Sequence, residues 1–170
     1  QYTLKIPKER IAVLIGKKGT DKRKIEKAMG VKLHIDSKEG EIRIEGEDAL
    51  NLFAAREICR AISRGFNPDV AMQLQKQDYA LEIISLRGRT VNEMHRLKGR
   101  IIGEGGKSRT VIEDLTGSYI VVYGKTMGLI GEFEPLRDAR KAVEMLVQGA
   151  NHASVYRLLE RKRRSRRSFR

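Results

Sequence analysis

The stretch IIGEGGKSRTVI, Ile101–Ile112, repeats the plan of an earlier stretch, LIGKKGTDKRKI, Leu14–Ile25. The two stretches align without a gap at an offset of 87 residues. The alignment pairs identical residue types at six positions: Ile15 with Ile102, Gly16 with Gly103, Gly19 with Gly106, Ile25 with Ile112, Glu26 with Glu113 and Gly30 with Gly117. Because a repeat at a fixed period indicates a structural unit that occurs more than once, the sequence predicts one small fold present twice.

Hydrophobic periodicity on both sides of the two glycine stretches predicts the same order of elements in each half. In the first half the order is strand 2–6, helix 8–15, glycine loop, helix 20–29, hairpin 32–44 and helix 48–64. In the second half it is strand 79–86, helix 90–102, glycine loop, helix 107–116, hairpin strands 119–123 and 129–132, and a helix 135–148 opened by a proline. We therefore predict an α+β protein with the order β-α-α-β-β-α in each half.

This pattern divides the chain into a first domain, 1–65, a connecting segment, 66–78, a second domain, 79–150, and a basic C-terminal extension, 151–170. Asn67-Pro68-Asp69 in the connecting segment has the residue types of a helix N-terminus, and predicts a short helix through Gln75. In the extension, the spacing of Val155, Leu158 and Leu159 predicts another helix over 151–164, followed by an arginine-rich end that frays.

The composition favours a polyanionic partner and argues against several other classes of protein. The net charge is +13, and the eight Lys or Arg and one Glu of residues 151–170 supply +7 of it. Such an extension is either a solvated end or a nonspecific phosphate anchor, and we favour the anchor.

The single cysteine, Cys59, excludes an intrachain disulfide and a Cys-based zinc site, so we expect a cytoplasmic protein. There is no apolar run of about 18 residues, so we expect neither a transmembrane helix nor a signal peptide.

The glycines do not fit the spacing of either common nucleotide-binding motif. A GxxxxGK[ST] loop that ends at Gly106 requires a glycine where Ile101 stands, and a GxGxxG motif that begins at Gly103 requires one where Ser108 stands. Both motifs also follow a strand, whereas the residues before Gly103 have helical periodicity. We therefore exclude a mononucleotide or dinucleotide loop.

The pattern that remains is IGxxG between two helices, at Gly16-Lys17-Lys18-Gly19 and at Gly103-Glu104-Gly105-Gly106. With the order β-α-α-β-β-α, these motifs resemble those of two tandem KH domains of the eukaryotic type, type I, over nearly all of residues 2–150. The resemblance implies that each GxxG loop holds the backbone of about four nucleotides of single-stranded RNA. The RNA-binding residues implied at and beside the two loops are Gly16, Lys17, Lys18, Gly19, Lys22, Arg23, Arg100, Gly103, Glu104, Gly105, Gly106, Lys107 and Arg109.

Two features depart from the usual pattern of that family. Lys22 and Arg109 stand three positions after the last loop glycine, where many KH domains have an apolar residue. Each side chain either reaches phosphate or faces solvent, and the sequence does not decide between the two. Glu104 places an acid inside the second loop, where Lys or Arg is usual, so by charge alone the first loop is the better match for RNA.

Four further stretches resemble a narrower family, the tandem-KH small-subunit ribosome-assembly factors shared by archaea and eukaryotes. They are Gly65–Pro68, Tyr79–Glu82, Val122–Thr126 and Ser154–Glu160. The resemblance implies binding near the 3′ end of small-subunit ribosomal RNA. It also implies a monomer with other assembly factors as partners, including the Nob endonuclease, and with the alpha subunit of translation initiation factor two.

Two other classes of function compete with RNA binding. An enzyme is disfavoured, because His34, His95 and His152 lack ligand spacing and Cys59 lies on an apolar helical stripe. We accordingly expect no catalytic residue, no metal and no cofactor. The alternative that remains open is a protein-interaction scaffold in which only one of the two KH units binds RNA.

Overall fold

The computed structural model of the protein describes residues 1–169, and it divides the chain into two compact units, residues 1–81 and 82–170. Each unit has a three-stranded antiparallel sheet with helices packed on it, in the order β-α-α-β-β-α. The predicted α+β class and the repeated order of elements are therefore confirmed.

In the first unit, the central strand of the sheet is the last of the three in the sequence. The elements are β1 (Tyr2–Lys5), α1 (Lys8–Ile15), α2 (Thr20–Met29), β2 (Lys32–Asp36), β3 (Glu41–Glu45) and α3 (Ala49–Ser63). The strand order is β1-β3-β2, and Leu4 and Ile35 both pair with Ile42 across the central strand. Strand β2 is consequently an edge strand with one side open.

The connecting segment packs on the first unit. It contains α4 (Pro68–Ala71), followed by a 3₁₀ turn, Met72–Gln75. The side chain of Asn67 accepts a hydrogen bond from the Asp69 amide at 2.8 Å, as the predicted N-cap requires. Because Met72 is buried and the 3₁₀ turn lies against α3, the segment belongs structurally to the first unit.

The second unit repeats this arrangement and adds one helix. Its elements are β4 (Tyr79–Ser85), α5 (Val91–Ile102), α6 (Lys107–Thr116), β5 (Tyr119–Tyr123), β6 (Thr126–Glu132), α7 (Phe133–Val147) and α8 (His152–Ser168). The boundary between residues 81 and 82 falls within β4, which pairs with β6 and so belongs to the sheet of the second unit. The strand order is β4-β6-β5, so β5 is the edge strand that corresponds to β2. Helix α5 begins with a capping box, in which Thr90 and Glu93 exchange side-chain and backbone hydrogen bonds.

Aliphatic side chains fill both cores, as the periodicity predicts. The most buried include Ile25 and Ile42 in the first unit and Ile112 and Leu129 in the second, each with 1% or less of its surface exposed. Aliphatic residues on one face of each helix are removed from water when that face packs on the sheet, which is the main source of stability in such a unit. The cores hold the two glycine loops at corresponding edges of the two units.

Three details differ from the sequence-based expectations. Strand β6 begins at Thr126 rather than Leu129, although Gly128 lies within it and glycine is disfavoured in strands. Helix α7 begins at Phe133 and includes Pro135 in its first turn, where an amide has no partner inside the helix. Helix α8 continues to Ser168, so the predicted fraying beyond residue 164 is wrong over residues 165–168; Arg170 lies outside the described residues.

Packing explains why α8 does not fray. Val155 and Leu159 are buried against the second unit, with α6 and α7 as neighbours. Near the C-terminal end, Arg166 forms an ion pair with Asp138 on α7 and donates to the Leu115 carbonyl of α6 at 3.2 Å. Helix α8 is therefore a docked part of the second unit rather than a loose tail.

Candidate nucleic-acid interface

The two GxxG turns have the same backbone conformation. Gly16 has φ 74° and ψ 176°, and Gly103 has φ 76° and ψ 171°. Each turn closes with a hydrogen bond from the amide of its last glycine to the carbonyl of its first, at 3.2 Å for Gly19 and 3.1 Å for Gly106. Positive φ with extended ψ is a conformation that essentially only glycine adopts, so the first glycine of each motif is required by the backbone.

The third residue of each turn has a left-handed backbone conformation, and its identity differs between the repeats: it is Lys18 in the first turn and Gly105 in the second. Gly105 adopts φ 61° and ψ 19°. Lys18 adopts φ 55° and ψ 30° at the corresponding position, and is the one non-glycine residue with positive φ among the described residues. A left-handed conformation costs a side-chain-bearing residue roughly 1–2 kcal/mol. The first loop therefore retains a lysine at a strained position, next to the exposed Lys17.

The first glycine of each turn lies against the second residue of the following helix. A Cβ atom on Gly16 would lie 2.9 Å from the Cβ of Asp21, and one on Gly103 would lie 2.7 Å from the Cβ of Ser108. Both separations are too short for real atoms. These glycines therefore let the end of α1 pack closely against the start of α2, and the end of α5 against the start of α6.

Each turn ends at the N-terminus of a ten-residue helix. The N-cap residues of α2 and α6 are Gly19 and Gly106, and neither has a side chain that caps the helix. The first amides of an α-helix have no carbonyl partner within the helix, and together with the helix dipole they favour an anion. The surface outside Gly105 and Gly106 is open, because no heavy atom lies within 4 Å of a Cβ built on either one.

The charges around the two loops differ less than the sequence suggests. The first loop exposes Lys17 and Lys18, but the carboxylate of Asp21 lies against Gly16. The second loop exposes Glu104, but Lys107 follows it at the start of α6, and the residue that corresponds to Asp21 is the uncharged, buried Ser108. With Arg23 beside Gly19 counted, the first loop therefore carries a net charge of about +2 near its glycines and the second about zero, as formal charges at neutral pH.

Lys22 and Arg109 do not simply face solvent, because each pairs with a glutamate one turn further along its helix. The Lys22 Nζ atom lies 3.8 Å from the Glu26 carboxylate, and the Arg109 Nε atom lies 3.3 Å from that of Glu113. Glu26 also accepts a hydrogen bond from the Leu33 amide of β2 at 2.9 Å. The structure thus adds a third arrangement to the two that the sequence left open.

The second unit repeats this arrangement at its own edge strand. The Ile120 amide of β5 donates to the Glu113 carboxylate. Burial raises the pKa of Glu113 above the ordinary glutamate range, against the opposing effect of Arg109. In both units, then, a helical carboxylate ties the helix after the loop to the open strand edge. Sequence reasoning missed these glutamates as site residues, although their identity at the 87-residue offset signalled them.

Two other predicted site residues have different surroundings. The Arg23 side chain is exposed and lies 3.0 Å from a Cβ built on Gly19, so it remains beside the first loop. Arg100 donates from Nε to the Leu146 carbonyl at 3.1 Å and from a terminal nitrogen to the Ala150 carbonyl, so it caps the end of α7. These two main-chain hydrogen bonds give Arg100 a structural role, and we remove it from the proposed RNA contacts.

Helix α8 carries a separate basic surface. Arg157, Arg161 and Arg164 are exposed and lie on one side of the helix at helical spacing. Glu160 is the one acidic residue of α8. Because Arg166 and the buried face hold α8 on the second unit, these three arginines form a fixed surface.

The described residues contain no cluster of three or more His, Cys, Asp or Glu side chains able to hold a metal ion. Within residues 1–169, no helix combines the length and the apolar character needed to cross a membrane.

Cys59 is fully buried, and burial raises the pKa of its thiol to about 12. A thiol with that pKa remains protonated at neutral pH and is a poor nucleophile.

The fold and the paired GxxG turns together define a protein with two KH domains of type I. Comparison with known families agrees with this class: residues 80–164 match the model described as eukaryotic type KH-domain (KH-domain type I), and residues 1–61 match the KH domain model. The chain belongs to the KH-domain family, in the group that includes KH domain-containing protein MJ0443 of Methanocaldococcus jannaschii. It is 51% identical to that relative, over 94% of this chain and 73% of the relative.

Solved structures show the same fold. Dim2p from Pyrococcus horikoshii is 46% identical with a TM-score of 0.88, covering 94% of this chain and 98% of Dim2p. A chain of the a/eIF2alpha-aDim2p-rRNA complex from the same organism is 45% identical with a TM-score of 0.90, covering 96% of this chain and 94% of that one. Pre-rRNA-processing protein PNO1 of Candida albicans is 30% identical over 74% of this chain, which spans 48% of that relative's length. The resemblance to the small-subunit assembly factors is thereby confirmed.

Proposed function

We propose that this protein binds single-stranded RNA through its two GxxG loops, and that its RNA is small-subunit ribosomal RNA near the 3′ end during ribosome assembly. The observation that carries the proposal is the pair of equal glycine turns, each leading into an uncapped helix N-terminus. The Pyrococcus complex that contains aDim2p and rRNA, and the pre-rRNA-processing relative, support ribosomal RNA as the ligand.

The loop geometry suggests how the RNA is held. Gly105 and Gly106 leave no side chain between the protein main chain and an approaching sugar-phosphate chain, and at Gly19 the neighbouring side chain is the basic Arg23. The amides at the start of α2 and α6 then favour the phosphate charge. Beyond the loop, each helix runs to the open edge of β2 or β5, which offers main-chain groups to the bases. Aromatic residues are 5% of the chain, so base recognition relies on hydrogen bonds and aliphatic contact rather than on stacking.

Helix α8 supplies a second, sequence-independent contact in this proposal. Three exposed arginines at helical spacing match a ligand with repeated negative charge, and phosphate contacts fix position without specifying sequence. We expect replacement of Arg157, Arg161 and Arg164 by Gln to make the dependence of log affinity on log salt shallower by up to about 2, at roughly 0.7 per lost phosphate contact. Deleting residues 161–170 is a poorer test, because it also removes the Arg166 contacts that dock α8.

Fluorescence anisotropy with short single-stranded RNA tests the loops. The middle positions of each turn are the ones to change, because a side chain on Gly16 or Gly103 would collide with the next helix. We expect Lys17→Asp with Lys18→Asp, and separately Glu104→Asp with Gly105→Asp, to weaken binding about tenfold or more through charge repulsion at the phosphate site. Lys141→Asp on α7 is the control for a change of charge by −2 away from the loops, between the −1 and −4 of the two loop pairs, and should change binding less than threefold. Undiminished affinity in a folded protein that carries all four loop changes would reject the proposal.

The alternative is a scaffold in which one KH unit binds RNA and the other binds protein. The exposed Glu104 in the second loop favours this division, and the Pyrococcus complex contains a translation factor subunit beside the RNA. The two pairs of loop changes distinguish the models, because a scaffold would lose RNA affinity with only one pair. We propose other assembly factors, the Nob endonuclease and the alpha subunit of translation initiation factor two as partners, and a monomer that acts in the cytoplasm.

A further inference from the structure

The helix that follows each loop carries one cation on the side that faces the open strand edge. Leu33 of β2 lies opposite Ile44 of the neighbouring strand β3. The Leu33 amide donates to Glu26, so the main-chain groups of Leu33 point away from β3, toward the open side of the sheet. Main-chain groups alternate along a strand, and those of Ile35 consequently point to the same open side. Because Glu26 contacts this edge and Lys22 contacts Glu26, Lys22 lies between the loop and the edge strand.

The second unit has the same arrangement of loop, cation, glutamate and edge strand, with an arginine in place of the lysine. Glu113 joins α6 to Ile120, which pairs with Leu129 across β5 and β6. Arg109 contacts Glu113 from the side of the loop. By the same alternation, the main-chain groups of Val122 face the open edge. A nucleotide whose phosphate rests on the loop and whose base turns toward β5 therefore passes Arg109.

The state of the Arg109 guanidinium indicates that its ion pair does not satisfy it. Its Nε atom is buried and has no hydrogen-bond partner, since the 3.3 Å contact with Glu113 is not aligned as a hydrogen bond. The side chain as a whole is 43% exposed. Any donor that Arg109 offers to a ligand is thus one of its two terminal nitrogens. A ligand held by these two nitrogens leaves Nε beside the Glu113 carboxylate.

We propose that Arg109 recognises the edge of a guanine base, and so sets the sequence preference of the second unit. This inference rests on the proposed RNA binding and extends it. Two planar nitrogen donors match the O6 and N7 acceptors of guanine, which is the most frequent specific contact of arginine with a base. Adenine has a donor in place of O6, and uracil has an N–H donor at N3 and no N7. Cytosine, whose O2 and N3 are also adjacent acceptors, is the competing base that the test must include. Glu113 is a positioning residue, because it holds Arg109 at the strand edge.

The first unit lacks this recognition. Lys22 presents a single ammonium group rather than a planar fork, and a lysine does not reproduce bidentate recognition. Its Nζ atom is also farther from its carboxylate, at 3.8 Å. The two units therefore divide the work: the first holds backbone with little base preference, and the second selects guanine.

The test uses the full chain and single-stranded RNA in which one guanine is moved stepwise through a uridine background. Matched RNAs carry adenine, cytosine, or 7-deazaguanine, which lacks the N7 acceptor; a preference for cytosine over guanine would overturn the inference. Arg109→Lys keeps the charge and the partner of Glu113, so the fold is preserved. Arg137→Lys is the control, because it makes the same conservative change on an exposed arginine of α7, outside the proposed RNA surface.

We expect the wild-type protein to prefer guanine over adenine and over 7-deazaguanine by roughly tenfold at one position. Arg109→Lys should remove this preference and leave the affinity for all-uridine RNA within twofold, whereas Arg137→Lys should keep the preference. Equal weakening of all RNAs by Arg109→Lys would make Arg109 a phosphate contact and overturn the inference. A guanine preference that survives Arg109→Lys, or no preference in the wild type, would overturn it as well. If the wild type binds none of the RNAs, the proposed function itself fails.

Discussion

Replacing Gly103 by alanine should destabilise the second unit far more than replacing Gly105, although both glycines belong to the same turn. Gly103 has φ 76° with extended ψ, and an added Cβ would lie 2.6 Å from the Ser108 amide nitrogen and 2.7 Å from the Ser108 Cβ. Gly105 has φ 61°, and no heavy atom lies within 4 Å of its added Cβ. The two substitutions thus separate backbone strain from close approach.

The magnitudes follow from these contacts. Gly105→Ala incurs a left-handed cost of roughly 1–2 kcal/mol, offset by about 0.4–1 kcal/mol from the reduced entropy of the unfolded chain. Gly103→Ala incurs a strain of roughly 1–3 kcal/mol and an overlap with Ser108 of roughly 1–3 kcal/mol, with the same offset. We therefore expect a loss of about 1 kcal/mol for Gly105→Ala and about 2–4 kcal/mol for Gly103→Ala.

Hydrogen exchange followed by mass spectrometry measures the loss in each unit separately, which a global melting curve does not. Amides of α6 and β5 should exchange faster in Gly103→Ala, while amides of α1 to α3 keep their wild-type rates. In thermal unfolding, the second unit should melt roughly 8–32 °C earlier, at 4–8 °C per kcal/mol for a unit of this size. Equal destabilisation by the two alanines would refute the close approach of Gly103 to Ser108.

Three further outcomes are expected. Arg166→Met should release the C-terminal half of α8, because it leaves the Asp138 carboxylate without its partner at a site where both side chains are about 15% exposed. The cost is about 3–5 kcal/mol, and unchanged exchange of the α8 amides would contradict it. Burial raises the pKa of Glu113 in the folded protein. Its contribution to the free energy of unfolding is therefore largest below the ordinary glutamate pKa and is lost as the pH rises through the raised pKa of the folded state. NMR titration should place the pKa of Glu113 above that of a free glutamate, and Glu113→Gln should flatten this part of the pH dependence of stability. Cys59 should resist thiol-modifying reagents in the folded protein and react at the rate at which the first unit opens, since its pKa is about 12; rapid modification at pH 8 without unfolding would contradict its burial.

The fold was predictable from local patterns, because the repeat supplies each pattern twice. Helix α2 and helix α6 occur at the predicted residues, each ended by a left-handed glycine, Gly30 or Gly117. Elements whose limits depend on tertiary packing were less predictable. Strand β6 includes Gly128 because the neighbouring strands supply its hydrogen bonds, and α8 extends into an arginine-rich sequence because Asp138 lies opposite Arg166.

The candidate site was predictable in its glycines but not in its charged groups. Motif spacing identified both turns, since glycine at these φ values is a backbone requirement. The roles of Lys22 and Arg109 depend on Glu26 and Glu113, which are tied to strands that follow them in sequence. Arg100 was predicted as an RNA contact from its position near the loop, yet its side chain turns to the end of α7. Side-chain direction is settled by distant partners, which spacing along the chain does not reveal.

The most direct test of RNA binding through the GxxG loops is to map amide chemical shifts of the full-length protein by NMR as single-stranded RNA is added. We expect the largest changes at residues 16–20 and 103–108, with smaller ones along the edge strands β2 and β5. Shifts at one loop alone would support the scaffold in which a single unit binds RNA. If both loops keep their free shifts while RNA is bound elsewhere on the protein, the central claim is wrong.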